Sequence, residues 1–160
     1  MWRVELWHPL VVHMPIGLLL GGVLAWLAGG LADEDGDWGF VRPAGRLAVA
    51  AGTLSAWVAV YTGDLADAQV VRTLCDPTVV EQHETLAWTT AAVFSVAIAV
   101  DLGARFVDTR RVQLAMTWGA GLGLVAGAVL LGYVGHLGAS LVYQQGAAVY
   151  QPTEQCTEFE

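Results

Sequence analysis

Apolar residues fall along this chain in blocks rather than in alternation. Four blocks are long enough to cross a bilayer, which takes about 20 residues of helix: Pro9 to Ala32, Pro43 to Gly63, Thr85 to Phe106 and Val112 to Leu137. Short polar stretches separate them, such as DEDGD at 33–37 and DTRR at 108–111. The pattern predicts an all-α membrane protein: a four-transmembrane-helix bundle over residues 1–143 and an extracytoplasmic tail over 144–160. A cleaved signal peptide is the competing reading of the first block. Only Arg3 precedes that block, Glu5 adjoins it, and it is longer than a signal's apolar core.

Composition agrees. Of 160 residues, 56% are hydrophobic and 14% charged, against roughly 25% charged in soluble domains, and the mean hydropathy is +0.55. A net charge of −8 argues against nucleic acid or an anionic lipid surface as the main partner. Every basic residue is an arginine, and their placement sets an orientation. Arg42 and Arg46 flank the first loop, and Arg105, Arg110 and Arg111 flank the third, so both loops should be cytoplasmic. Both termini and the loop from Asp64 to Glu84 then lie on the extracytoplasmic side, with Arg3 and Arg72. Cys75 and Cys156 share that side, where disulfides persist. A Cys75–Cys156 bond would tie the tail across the mouth of the bundle; the alternative is two unrelated free thiols.

The first block opens HPLVVHMPIG at 8–17. Pro9 can start a helix, whereas Pro15 removes a backbone donor from the carbonyl of Val11 and predicts a kink near His13. Asp76-Pro77 reads as the cap and first position of the third helix. Counting inward from the charged ends brings His13, His83 and His136 to one outer layer, with His8 a turn further out. Interfacial histidines can simply anchor helices, but a layer holding all the imidazoles reads as a shared site. His8 and His13, five residues apart, point roughly 140° from each other on an ideal helix. His13 is therefore the expected ligand and His8 a cap or gate. Glycines at four-residue spacing, 17 and 21 in the first span and 119, 123 and 127 in the fourth, suit close helix packing. Gly132, Gly135 and Gly138 leave room for something flat beside His136. Asp64, Asp67, Glu81 and Glu84 could draw in a cation.

The segments HPLVVHMPIGLLLGG, EQHETLAWTT and GYVGHLGASLVYQQG together resemble the bacterial membrane family catalogued as domain of unknown function 2231. The resemblance implies a four-helix domain of the bacterial cytoplasmic (inner) membrane, with His8, His13, His83 and His136 at its matching positions. Some relatives are joined to c-type cytochrome domains, which implies electron transfer and an extracytoplasmic c-type cytochrome or other redox protein as partner. Relatives often carry a further histidine where this chain has Gln144 and Gln145. No C-x-x-C-H motif is present, so any haem would be non-covalent. The leading expectation is a membrane electron-transfer protein holding b-type haem between two of His13, His83 and His136, with His8 and Gly135 beside it. The alternatives are copper or zinc on the same imidazoles, or a cofactor-free structural subunit of a membrane complex. No nucleophilic triad, phosphate loop or zinc-protease motif points to an independent enzyme.

Overall fold

The computed structural model describes residues 3–33 and 35–149. Five α-helices follow in order: α1 (Trp7–Val11), α2 (His13–Gly29), α3 (Val41–Val70), α4 (Thr78–Gly103) and α5 (Arg110–Gln145). Short 3-10 turns at Val4–Leu6, Val71–Thr73 and Ala104–Phe106 extend them into four spans: Val4–Gly29, Val41–Thr73, Thr78–Phe106 and Arg110–Gln145. Each is long and apolar enough to cross a membrane. The all-α, four-span architecture stands, with longer helices than the apolar blocks alone define. α3 continues past Gly63 and α5 past Leu137 because their last turns stay helical after turning polar.

The first span is interrupted where its prolines require. Pro15 has no N–H for the carbonyl of Val11, and the chain divides at Val12 into α1 and α2. Bonding resumes on either side: the Val12 N–H reaches the His8 carbonyl at 3.1 Å, and the Ile16 N–H reaches the Val12 carbonyl at 3.2 Å. α4 starts one residue later than expected, with Pro77 at its N-cap and Asp76 just outside it. Asp76 Oδ1 accepts from the Thr78 N–H at 3.0 Å and from the Thr78 hydroxyl at 2.6 Å. Those bonds hold the Asp76 carboxyl below the usual carboxylate range. α5 stops at Gly146, whose φ of 69° is a left-handed conformation that glycine adopts without strain.

α2 packs along α3, and α4 along α5, giving two antiparallel hairpins; α3 meets α4 more extensively than α2 meets α5. The core between them holds Leu19, Val23, Trp26, Val49, Phe94 and Leu124. Glycines make the hairpins close, but in α2 they are not those the four-residue spacing picks out. Gly17, Gly21 and Gly119 face open space. The α2–α3 contact is made by Gly22 and Gly29 against Gly45 and Gly52, each pair seven residues apart. A Cβ on Gly45 would run into the backbone nitrogen of Trp26, and one on Gly29 into the backbone nitrogen of Arg42. A seven-residue repeat belongs to shallow, left-handed packing, whereas the four-residue motif belongs to steeper right-handed crossings.

At the end of the bundle away from the chain start, Asp101 is 1% exposed. The Arg46 Nε–H donates to its Oδ2 and Arg46 Nη2 to its Oδ1 at 3.4 Å, while the Trp26 indole N–H donates to Oδ1 at 3.0 Å. The Arg42 guanidinium rests on the Trp26 ring, 4.5 Å from its centre. This junction joins α2, α3 and α4.

Two stability predictions follow from this packing, both readable by thermal or SDS unfolding in detergent. Gly45→Ala should destabilise by about 1–3 kcal/mol through overpacking, while Gly17→Ala should be neutral or slightly stabilising. Asp101→Ala strands a buried guanidinium and should cost about 3–5 kcal/mol, whereas replacing Arg46 and Asp101 together by leucine should cost far less. A loss in the double variant equal to the sum of the two single losses would show that the pair is not coupled.

Candidate functional site

Two of the histidines are brought together, and each is held by a backbone carbonyl. α1 lays His8 against α3, where its Nδ1 lies 2.9 Å from the Ala59 carbonyl oxygen. The second turn of α4 lays His83 against α5, with Nδ1 3.1 Å from the Val134 carbonyl oxygen. A carbonyl only accepts, so both Nδ1 atoms carry the proton and both Nε2 atoms keep a free lone pair in the neutral ring. The ring centres are 6.1 Å apart and the planes nearly perpendicular, at 89°. Glycine supplies the seat on each side. A Cβ on Gly63 would come within 3.2 Å of His8 Cε1 and Nδ1, and one on Gly138 within 3.2 Å of His83 Cε1.

The surroundings are acidic. Asp64 interacts electrostatically with His8, and Asp64, Asp67 and Glu81 all interact with Glu84. Arg3, at the same end, is paired with Glu5 at 2.7 Å. The site is a pair of imidazoles, each anchored through Nδ1, with carboxylates around it.

The imidazole that meets His83 is that of His8, expected a turn further out, and not that of His13 or His136. His13 is exposed on α2 and His136 is exposed on α5, the latter stacked on Tyr133 with ring centres 6.4 Å apart. Depth counting finds a layer but not a face. The five-residue offset between His8 and His13 lets only one of them turn inward. Among the described residues no three His, Cys, Asp or Glu side chains are grouped to hold a metal ion, so the expected three-imidazole set is not formed there. Gly132 and Gly135 meet nothing within 4 Å; Gly138 alone of that trio touches an imidazole. Cys75 is an exposed free thiol. Cys156, with the rest of 150–160, lies outside the described residues, as do the expected disulfide and tail cap. Sequence reasoning missed the carbonyls of Ala59 and Val134, which carry no side-chain signal. It also missed the Arg46–Asp101 pair, signalled by two opposite charges inside apolar blocks.

Residues 7–151 match the model of a family described as predicted membrane proteins, DUF2231. The chain belongs to this family. No curated protein and no solved structure matches it.

The carbonyl anchors make a spectroscopic prediction. In protein with ¹⁵N-labelled histidine, near neutral pH, His8 and His83 should each show one protonated Nδ1 and one unprotonated Nε2. His13 and His136, which have no such anchor among the described residues, should show averaged tautomers. Averaging at all four would contradict the anchoring.

Proposed function

We propose that this protein is a membrane-embedded bis-histidine metal centre, with His8 and His83 as its ligands at the extracytoplasmic mouth. The observation that carries this reading is the double anchoring of the imidazoles 6.1 Å apart. Metal-ligating histidines characteristically donate their other N–H to a carbonyl or carboxylate, which fixes ring and tautomer. With metal–nitrogen bonds of about 2.0–2.1 Å, two imidazoles in line across one metal have centres about 6.4 Å apart, close to the separation found here. Non-covalent haem iron and copper both accept such a pair. Either would supply one-electron chemistry when bound, which suits exchange with an extracytoplasmic redox protein such as a c-type cytochrome.

The chain's own contribution is positional. Ala59 and Val134 hold each ring by Nδ1, Gly63 and Gly138 let the rings lie flush on α3 and α5, and the carboxylate rim sets a negative field over the pair. Orientation follows from charge. Arg42, Arg46, Arg105, Arg110 and Arg111 belong to the opposite end, which supports a cytoplasmic position for that end and an extracytoplasmic one for the histidines. For a bacterial chain this is the cytoplasmic (inner) membrane.

Metal analysis and visible spectra of the detergent-purified protein test the proposal. The expected result is iron with a Soret band and sharp α and β bands, or stoichiometric copper. Either should be lost in His8→Ala and in His83→Ala, and kept in His13→Ala and His136→Ala. Retention in both of the first two variants would assign the metal to other ligands, and no uptake of either metal after reconstitution would return the protein to a cofactor-free structural subunit.

A further inference from the structure

The two hairpins are copies of one unit. Adding 75 to the residue number carries His8 onto His83, Leu19 onto Phe94, Val49 onto Leu124, Gly52 onto Gly127 and Gly63 onto Gly138. The structural relations follow the same shift. Leu19, Phe94, Val49 and Leu124 are all fully buried. A Cβ on Gly52 would press on Leu19, and one on Gly127 would press on Phe94. The anchoring carbonyls obey it too: Ala59 maps onto Val134, and each hydrogen bond spans 51 residues.

A residue can touch its own equivalent only at a symmetry axis. His8 touches His83, and Trp26, whose equivalent is Asp101, donates a hydrogen bond to Asp101. An approximate two-fold therefore runs along the bundle, with the imidazole pair on it at one end and the Trp26–Asp101 contact at the other.

We propose that the ligand of this axial pair is a bare copper(I) ion, held two-coordinate and near-linear between Nε2 of His8 and Nε2 of His83; this rests on the bis-histidine reading above. Two-fold symmetry supplies two equivalent nitrogen donors on opposite sides of one point. Zinc takes four ligands in structural sites and three protein ligands in catalytic ones, and calcium and magnesium take oxygen. Copper(I), a d¹⁰ ion, accepts two imidazoles in line. Ala59, Val60, Val134 and Leu137 beside the rings are all buried, a close seat that suits a small ion. Charge points the same way. Asp64, Asp67, Glu81 and Glu84 attract a cation and repel the propionates of haem, and Arg3 is already paired with Glu5.

The test is an anaerobic titration of metal-stripped, detergent-solubilised protein with copper(I) against a chromophoric copper(I) chelator, with haem titrated in parallel. One copper(I) per chain is expected, with an X-ray absorption spectrum of two nitrogen neighbours in near-linear geometry. His8→Ala and His83→Ala should each weaken binding by at least about 100-fold, and Gly63→Ala, which shifts a ring by tenths of an ångström, by about 10-fold. The absorption spectrum of the unsubstituted protein keeps the test decisive if a variant fails to fold. Haem uptake with a bis-imidazole spectrum and no copper(I) binding would overturn copper and leave the bis-histidine centre standing. Binding of neither would overturn both. Copper(I) binding unchanged in the two histidine variants, or a spectrum with more than two neighbours, would overturn this site.

Discussion

A carboxylate sealed inside a bundle that sits in lipid has to be matched by donors, or the bundle does not form. Asp101 is matched by Arg46 from α3 and by Trp26 from α2, and α5 closes over the Trp26 ring at Gly121, where a Cβ would come within 3.1 Å of it. One polar junction thus fixes the depth of all four spans relative to one another. Its influence reaches the other end of the molecule. His8 precedes Trp26 by 18 residues and His83 precedes Asp101 by the same number, a rise of about 27 Å in a helix. The level at which the junction locks the helices is also the level that brings the two imidazoles abreast.

Between these ends the bundle is held by surface fit. Lipid offers apolar side chains as good a solvent as another helix does, so association depends on close backbone approach and on hydrogen bonds. The glycines at 22, 29, 45 and 52 provide the first. The α3–α4 seam adds the second: Trp57 donates to Ser95 Oγ at 3.0 Å and stands edge-on to Trp88, 5.3 Å between ring centres. The corresponding positions across the α2–α5 seam are His13 and Gly132, which bring no such pair of rings, and α2 and α5 meet over less of their length.

Much of this was legible in the sequence, and the misses have common causes. Apolar block length gives four spans because a bilayer demands it, Pro15 gives the break at Val12, and Asp76-Pro77 gives the start of α4. What the blocks do not reveal is rotation about each helix axis. That is why counting along the blocks does not reveal that His8, rather than His13, turns toward His83. It is also why Gly17 and Gly21, which match a familiar spacing, turned out to face outward while Gly22 and Gly29 do the packing. The repeat escaped notice because the halves keep little identity. Equivalent core sites are Leu19 and Phe94 or Val49 and Leu124, similar in burial and different in name. The anchors of the site are main-chain oxygens, which any residue could supply.

The contact between Trp26 and Asp101 bears on how such a chain could arise. In a dimer of identical hairpins, whatever residue stands on the axis is met by itself. Two aspartates there would repel, and two tryptophans would offer two donors with no acceptor. An acid facing an indole is open only to halves that are joined in one polypeptide and free to diverge. The histidine end keeps the symmetric solution, one imidazole against another. The axis thus joins like to like at one end and donor to acceptor at the other.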